Sequence, residues 1–346
     1  MEKMFINSAA VGVFKKCQLI VLCRVYINCI CKKEGVNLEF KHKPVLLNEC
    51  ITGLNINKNG IYVDGTLGGA GHSKVILENL SEKGLLIGID RDLEALEAAK
   101  LNLQQYENVK YIHGNHDDIK NILNGIGIQK VDGILLDLGV SSYQLDEKTR
   151  GFSYIGTNKL DMRMDKTQEF SAYDVVNTYT EERLANILFE YGEEKFAKNI
   201  ARNICKYRLI TPIETTSDLV KIIENSIPKS KQKDGHPAKR TFQAIRIEVN
   251  NELQPLKNTV KDCIESLNEN GRLCIITFHS LEDRAVKEAF NEAVGQCTCP
   301  KDLPYCVCNY KSFGKLINKK PITATKEELE QNTRSQSAKL RIFEKI

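Results

Sequence analysis

The segment "YVDGTLGGAGHS" (residues 62–73) decides the fold class, because glycines follow directly on a short apolar run. Ile61, Tyr62 and Val63 are β-branched or aromatic residues of the kind enriched in strands, and Asp64 ends the run. Glycines let a backbone turn tightly and approach a ligand closely, and the helix-compatible residues after them would place a helix N-terminus beside that ligand. The segment therefore predicts a strand, a ligand-binding loop and a helix.

The residues after this loop continue the alternation of strand and helix. The pattern predicts strands at 61–65, 85–90, 109–114 and 132–139, and helices at 72–80, 92–106 and 118–123. Strands that alternate with helices form βαβ units, whose parallel sheet is covered on both faces. We therefore predict an α/β fold with a doubly wound, mostly parallel sheet.

Three ligand chemistries compete for the glycine loop. A nucleoside triphosphate loop ends in Gly-Lys-Ser/Thr, whereas this loop ends in Gly71-His72-Ser73 and lacks the lysine that reaches the phosphates. A dinucleotide loop needs a further glycine three residues after Gly71, where this chain has Lys74. Asp90, at the end of the second predicted strand, does not discriminate, because any adenosine ribose offers hydroxyl groups to a carboxylate.

S-adenosylmethionine is the third ligand, and it favours carboxylates near the loop because its sulfonium and amino groups carry positive charge. Asp64 lies at the mouth of the loop. Asp137 ends the fourth predicted strand, at the sheet edge where open α/β folds bind their ligands. The residues alone leave a second interpretation of Asp137 open, as the cap of a helix or turn.

The strand–helix alternation stops after Gly139, and the chain becomes mainly helical. We predict that residues 146–249 form a helical insertion in a core made of residues 38–145 and 250–346. Within the insertion the pattern predicts helices at 180–192, 194–208 and 217–227, the last with Ser217 as N-cap. One long helix is predicted at 242–271 and a strand at 272–278. A helix is predicted from residue 280, with Ser280 and Asp283 in capping-box spacing, and a half-buried strand at 337–346.

Composition limits the function classes. An apolar fraction of 42% and a charged fraction of 27% over 346 residues are typical of soluble globular proteins. A net charge of +4 permits a nucleic-acid partner without requiring one. The 12 cysteines are not spaced as a disulfide framework, which indicates a reducing compartment. We expect a cytoplasmic protein with no membrane anchor and no stable protein partner.

Residues 1–37 differ from the rest of the chain. They hold an apolar stretch that is short for a membrane span and is interrupted by Arg24, and no small-residue cleavage site follows it. We interpret them as an extension that is disordered or that results from a start codon assigned too far upstream.

Nine segments together resemble the ribosomal RNA small-subunit methyltransferase H family. They are "HKPVLLNE" (42–49), "DGTLGGAGHS" (64–73), "IDRD" (89–92), "DGILLDLGVSSYQLD" (132–146), "RGFSY" (150–154), "LDMRMD" (160–165), "FQAIRIEVNNEL" (242–253), "FHSLEDR" (278–284) and "SAKLR" (337–341). The resemblance extends over residues 38–346. It implies a class I Rossmann-like fold, S-adenosylmethionine as cofactor, and methylation of the N4 amine of a cytidine in the decoding region of 16S ribosomal RNA in the small subunit.

The resemblance also implies a set of cofactor contacts. They are Ala70, Gly71 and His72 in the loop, Asp90 at the ribose, His116 where the family usually has an aromatic residue, and Asp137 with Gln144 after the fourth strand. The chain lacks the Asn/Asp-Pro-Pro-aromatic loop of DNA amino-methyltransferases, so no catalytic residue is identified. Asp137 is the best candidate for an acceptor of an amine hydrogen, and we predict no metal.

Two further segments carry possible binding chemistry. One is the basic segment at residues 228–246, which holds Lys229, Lys231, Lys233, Lys239, Arg240 and Arg246 around His236 and Phe242. This segment is either a solvated loop or a surface that binds phosphates and an unpaired base. The resemblance favours RNA. Cys297, Cys299, Cys306 and Cys308 could close a zinc site or be reduced loop cysteines.

Two other function classes are alternatives to a methyltransferase. One is a nicotinamide-dependent oxidoreductase, because Asp90 also suits a dinucleotide ribose. The other is a non-catalytic RNA-binding protein of ribosome assembly, because the basic segment requires no chemistry.

Overall fold

One seven-stranded sheet organises the chain in a computed structural model, which describes residues 44–232, 235–295 and 311–346. The strands are β1 (Ile61–Asp64), β2 (Leu85–Asp90), β3 (Val109–His113), β4 (Val131–Asp137), β5 (Leu267–Thr277), β6 (Gly314–Leu316) and β7 (Lys339–Lys345). Their spatial order is β3-β2-β1-β4-β5-β7-β6. Strands β1 to β5 are mutually parallel, and β7 runs antiparallel to β5 and β6. The predicted doubly wound, mostly parallel sheet is confirmed.

The strand order reverses between β1 and β4, and this reversal positions the site. Asp64, Asp90 and Asp137 are the last residues of β1, β2 and β4. In open α/β sheets, helices that leave in opposite directions at such a reversal open a crevice at the carboxyl ends of the strands. The three carboxylates that the sequence singled out therefore lie along one edge of the sheet, on either side of this crevice.

Helices cover both faces of the sheet. They are α1 (Leu47–Leu54), α2 (Gly71–Asn79), α3 (Leu93–Asn102), α4 (Ile119–Gly125), α11 (Leu256–Ser266) and α12 (Ser280–Val294). The short helix α13 (Lys326–Gln331) contributes no buried residue. Neighbouring strand residues point to opposite faces, so Ile134 and Leu136 join one hydrophobic cluster while Leu135 joins the other. A parallel sheet buried on both faces explains why these strands are continuous apolar runs.

A third hydrophobic cluster lies in the connection between β4 and β5. This connection contains α5 (Ser142–Asp146), α6 (Ala172–Thr178), α7 (Glu181–Glu190), α8 (Ala197–Arg208), α9 (Thr216–Ser226) and α10 (Ala238–Asn250). Its buried residues run from Phe152 to Val249 and form a core separate from the two clusters on the sheet. That residues 146–249 act as an RNA-recognition domain stays a prediction.

The predicted single helix at 242–271 is wrong, because the chain breaks it after α10. Asn251 has φ 49°, in the left-handed region, and Pro255 precedes α11. A left-handed residue ends a helix, and proline is tolerated next at the start of a new one. Strand β5 then begins at Leu267, before Gly271.

Three local expectations are also corrected. The N-cap of α9 is Thr215, whose hydroxyl accepts from the Asp218 amide, and not Ser217. The capping box of α12 is formed by His279 and Glu282, one position before the predicted pair of Ser280 and Asp283. The C-terminal strand is buried on both faces instead of half-buried, because Phe343 of β7 joins one hydrophobic cluster of the sheet and Leu340 and Ile342 join the other.

Several expectations fall on residues outside the described ranges. These are the extension at 1–37, the start of the core at Leu38, Lys233, and the four cysteines at 297–308. Among the residues that the structure describes, no helix combines the length and the apolar character needed to cross a membrane.

Candidate active site

Three carboxyl groups mark the edge of the sheet at which the strand order reverses, with Asp64 buried and Asp90 and Asp137 partly exposed. Burial raises the pKa of Asp64, Asp90 and Asp137 to about 6 in each case. Hydrogen bonds from Ser73 and Thr66 oppose the shift at Asp64, and His72 opposes it at Asp137. Above pH 6 this edge therefore carries concentrated negative charge, which favours a cation or a hydroxyl donor over a phosphate.

The glycine loop between β1 and α2 has an unusual backbone. Gly68 has φ 48°, and Ala70, the residue before α2, has φ 62°. A Cβ on Gly71 would lie 2.4 Å from Cγ of Pro44, whereas a Cβ on Gly69 would meet no described atom within 4 Å. The loop is therefore closed against Pro44 on one side and has free space beside Gly69.

Asp64 holds the loop in this conformation. Its Oδ2 accepts a hydrogen bond from Ser73 Oγ at 2.7 Å, and its Oδ1 accepts from the Thr66 amide at 3.2 Å. Thr66 Oγ1 in turn accepts from the Asp137 amide at 2.6 Å, which joins the ends of β1 and β4. The Asp64 side chain is 2% exposed, so it supports the loop from beneath.

Asp90 holds the other side of the loop. Its Oδ2 accepts from the Gly68 amide at 2.8 Å, and its Oδ1 accepts from the Asp92 amide at 2.8 Å. A carboxylate oxygen has two lone pairs, so each oxygen can accept a further hydrogen bond from a hydroxyl group. The position is compatible with the predicted ribose contact and also explains how β2 fixes the loop.

His72 lies on the first turn of α2 and faces Asp137. Its Nε2 is 3.0 Å from the carbonyl oxygen of Val45, and its Nδ1 is 3.9 Å from Asp137 Oδ2. Asp137 Oδ1 is buried and has no hydrogen-bond partner within the described part of the chain. The structure thus brings two of the predicted residues together around an acceptor that lacks a donor.

The segment that contacts His72 is itself fixed by the C-terminal part of the chain. The Leu46 amide donates to Glu328 Oε1 of α13 at 2.9 Å, and Ser335 Oγ donates to the same oxygen at 2.6 Å. Leu46 has φ 53°, so the chain turns sharply into α1 at this point.

His116 follows β3 and is neutral at physiological pH. Burial lowers its pKa to about 4, although the nearby Asp117 carboxylate opposes the shift. Together with Leu138 and Gly139 it lines a cavity of about 20 Å³, which is the size of a single water molecule. An adenine ring does not fit into that cavity as it stands, so the predicted contact requires the ring to lie outside it.

Gln144 has a supporting position that the sequence did not predict. Its amide oxygen accepts from the Ser141 amide, and its Nε2 donates to Asp92 Oδ2 at 2.9 Å. Because the side chain is buried and both ends of the amide are occupied, Gln144 fixes the turn between β2 and α3. Its contact with the cofactor stays a prediction.

Arg150 is the residue of this region that sequence reasoning missed. Its guanidinium is 2% exposed and donates to Asp92 Oδ2 at 2.8 Å and Glu94 Oε2 at 2.9 Å. It also donates to the carbonyl oxygens of Arg163 and Met164. Arg150 therefore ties the insertion to the turn after β2. The motif "RGFSY" indicated the position but not its partners.

Two residues of the basic segment do not belong to its surface. Arg246 is largely buried, and its guanidinium forms a bidentate pair with Glu252, with both distances 2.9 Å. Phe242 is 4% exposed and contacts Tyr154 edge-on, so it offers no face to a base. Lys229, Lys231, Lys239 and Arg240 are exposed, as is His236, which stacks on Tyr154.

The segments "LDMRMD" and "FHSLEDR" each contain a residue that forms a structural ion pair. Arg163 donates to Asp161, and Asp283 accepts from Arg341 of β7 at 2.6 Å instead of from its neighbour Arg284. His279 is 3.0 Å from the buried Glu282.

A wider cavity of about 570 Å³ lies in the insertion. It is lined by Lys159, Tyr173, Glu214 and Thr215. None of the predicted site residues lines it.

Known proteins resemble this chain over most of its length. Residues 39–346 match the model of the MraW methylase family. The ribosomal RNA small subunit methyltransferase H of Clostridium botulinum (strain Loch Maree / Type A3) is 59% identical over 309 residues, which are 89% of this chain and 100% of that protein. The protein of the same name from Clostridioides difficile (strain 630) is 57% identical over 311 residues, with the same coverage. The structure of an rRNA methylase from Streptococcus thermophilus is 11% identical and covers 89% of this chain and 99% of that one, with a TM-score of 0.38 that adds nothing to the assignment.

The buried ion pair of Arg150 gives a stability prediction. Arg150→Met leaves the Asp92 carboxylate buried without its cation, so we expect the free energy of unfolding to fall by about 3–5 kcal/mol. Urea unfolding followed by circular dichroism measures this change. Lys100→Met is the matched control, because Lys100 and Glu97 are exposed and such a pair contributes at most about 0.5 kcal/mol. Equal losses in the two variants would contradict the role given to Arg150.

Proposed function

Because the chain belongs to the MraW methylase family, we propose that it methylates the N4 amine of one cytidine in the decoding region of 16S ribosomal RNA. It is a ribosomal RNA methyltransferase, and its methyl donor is S-adenosylmethionine. The observation that carries the proposal of an amine target is Asp137 Oδ1, a buried acceptor with no partner in the described chain, at the mouth of the glycine loop. Such an oxygen can accept a hydrogen bond from an amino group.

The residues at the sheet edge fit a donor with positive charge and ribose hydroxyl groups. When bound, S-adenosylmethionine supplies an electrophilic methyl group on a sulfonium. We propose that the loop at Ala70, Gly71 and His72 receives the amino-acid part and that Asp90 accepts from the ribose. His116 and Gln144 complete the proposed set, with neutral His116 beside the adenine and Gln144 holding the adjoining turn.

Asp137 is the proposed acceptor for the target amine. The lone pair of a cytosine amine is delocalised into the ring, so the amine is a poor nucleophile until a hydrogen bond draws on its N–H. The pKa of Asp137, raised by burial to about 6, leaves the carboxylate ionised at neutral pH and still able to take a proton. Alignment of the amine with the methyl group supplies the rest of the rate enhancement.

The exposed part of the basic segment is the proposed RNA surface. Lys229, Lys231, Lys239 and Arg240 can contact phosphates, and the His236 ring, stacked on Tyr154, can meet a base. These residues lie in the predicted insertion at 146–249. We also propose that the protein works in the cytoplasm on the small ribosomal subunit without a stable protein partner.

Family membership excludes the oxidoreductase alternative. A methyl-transfer assay distinguishes the proposed enzyme from a non-catalytic assembly protein, which would bind RNA without methylating it. We expect labelled S-adenosylmethionine and undermethylated small subunits to give N4-methylcytidine at one position of 16S RNA, identified by nucleoside analysis and mapping. Asp137→Asn is the matched variant and should lower the rate about 100-fold or more. Label in another nucleoside, or RNA binding without transfer, would refute the proposal.

The pH dependence of cofactor binding follows from the raised pKa of Asp90. The carboxylate must be ionised to accept from the ribose, and its pKa of about 6 leaves it protonated below that pH. We expect the Kd of S-adenosylmethionine to be constant above pH 7 and to rise as the pH falls to 5. Asp90→Ala should cost about 1.5–3 kcal/mol of binding and flatten this slope. Calorimetry measures the affinity for S-adenosylmethionine and its pH dependence, and Asp118→Ala, which removes an exposed carboxylate, is the control. An unchanged affinity in Asp90→Ala would refute the assignment of Asp90 to the ribose.

The RNA surface gives a prediction with a salt signature. Replacing Lys239 and Arg240 by Ala should weaken RNA binding and reduce the dependence of log K on log salt by about 0.7 for each lost phosphate contact. The affinity for S-adenosylmethionine should not change. Lys83→Ala with Lys100→Ala, two exposed lysines outside the segment, is the control pair. If the salt dependence is the same in both double variants, the segment is solvated surface.

A further inference from the structure

We infer that the Arg183 guanidinium and the Phe170 ring form a second RNA contact in the insertion, at which an unpaired base stacks. The inference rests on the proposed function, because it extends the proposed RNA surface beyond the basic segment. It is carried by the packing of both side chains on Tyr179 and by the position of this stack relative to Arg240.

Tyr179 joins the two exposed side chains. The Cζ atom of Arg183 lies 3.7 Å from the centre of the Tyr179 ring, and the Phe170 ring stacks on Tyr179 with centroids 5.9 Å apart. Tyr179 is 8% exposed, whereas Phe170 is 37% exposed and the Arg183 side chain 59%. One face of the guanidinium plane is therefore covered by Tyr179, and the other is turned outward.

Glu248 of α10 fixes the orientation of the guanidinium. Its Oε1 accepts from Tyr179 Oη at 2.6 Å and from Arg183 Nη2 at 3.0 Å, and the same Nη2 donates to Tyr179 Oη at 2.7 Å. Burial and the bond to Glu248 raise the pKa of Tyr179, so its hydroxyl keeps its hydrogen. Because the plane is held before a ligand arrives, binding loses little side-chain entropy.

The chemistry of the stack favours a base over a phosphate. Glu248 offsets the positive charge of Arg183, which weakens the attraction for a phosphate. Phe170 adds an exposed ring that has no donor to offer to a phosphate. Unpaired bases stack both on aromatic rings and on guanidinium planes, and they do so without sequence preference.

The seam between α7 and α10 connects the stack to the proposed RNA surface. At one end of the seam Glu248 of α10 binds Arg183 of α7. At the other end Arg240 of α10 donates through Nη1 to the carbonyl oxygen of Glu193, which follows α7. Eight residues separate Arg240 from Glu248, a distance of about 12 Å along a helix. Arg240 and Arg183 thus mark the two ends of one seam.

The Arg240 end of the seam lies beside the start of α12. The Glu193 carboxylate accepts from Ser280 Oγ at 2.9 Å. Ser280 begins α12, which follows β5 at the edge of the sheet where β4 ends in Asp137. An RNA strand whose target base lies at this edge and whose backbone passes Arg240 would therefore continue along the seam towards Arg183.

A purely structural stack is the competing explanation, because an exposed cation–π pair also stabilises a fold. Such a role needs the contact between Arg183 and Tyr179, but it needs neither the outward face of the guanidinium nor the exposed ring of Phe170. It therefore predicts a lower Tm and an unchanged RNA affinity when these groups are altered.

Three variants separate stacking from charge and from packing. Arg183→Lys keeps the positive charge beside Glu248 but removes the plane. Phe170→Leu keeps an apolar side chain but removes the ring, and Phe170→Tyr is its matched control because the ring is retained. The double variant of Lys239 and Arg240 is the reference for lost phosphate contacts.

The test is equilibrium binding of undermethylated small subunits at several salt concentrations. We expect Arg183→Lys and Phe170→Leu each to raise the Kd about 5-fold or more, and Phe170→Tyr to bind like the wild type. The dependence of log K on log salt should stay unchanged in all three. Their Tm and their Kd for S-adenosylmethionine should match the wild type. A photoreactive benzophenone side chain in place of Phe170 should crosslink to 16S RNA.

Three results would overturn the inference. RNA affinity that is unchanged in Arg183→Lys and Phe170→Leu, whatever their Tm, leaves a structural stack. A salt dependence that falls by about 0.7 in Arg183→Lys identifies a phosphate contact. A crosslink from position 170 to a ribosomal protein instead of RNA identifies a protein as the occupant. Because binding is measured without turnover, failure of the wild-type chain to form N4-methylcytidine refutes the proposed methylation separately.

Discussion

The 2.6 Å hydrogen bond from the Asp137 amide to Thr66 Oγ1 links the two strand ends between which the sheet order reverses. Around it, Asp64 fixes Ser73 at the start of α2, and Asp90 fixes Gly68 from the neighbouring strand. Three carboxylates are thus kept at one edge by backbone amides and hydroxyls. Burial raises the pKa of each of them, and a cationic ligand beside the ionised carboxylates would offset the cost of burying their charge.

Sequence predicted the parts of the fold that depend on local pattern. Buried strands are apolar runs, and glycines mark the loop between β1 and α2, so the sheet and the three strand-end carboxylates were found. The break between α10 and α11 was missed, because one left-handed Asn251 interrupts a pattern that is otherwise continuously amphipathic. The caps of α9 and α12 were off by one or two residues, because several neighbouring side chains were all capable of capping.

The candidate site was predicted in its residue types but not in its connections. Arg150 binds Asp92 across 58 positions of sequence, and Arg246 turns inward to Glu252 although its neighbours are exposed lysines. Such partners are set by tertiary packing, which a charge pattern does not encode. The same holds for Gln144, whose hydrogen bond to Asp92 was not predicted, while its expected contact with the ligand stays a prediction.

The anchoring of Leu46 by Glu328 has a consequence for biosynthesis. The segment at Pro44–Leu46 sets the position of Gly71 and His72, yet its anchor lies 282 residues further along the chain. The hydrogen bond that fixes Leu46 can therefore form only after Glu328 has been synthesised, and β7 follows Glu328 in the chain. A nascent or prematurely terminated chain thus lacks the restraint that orders the loop.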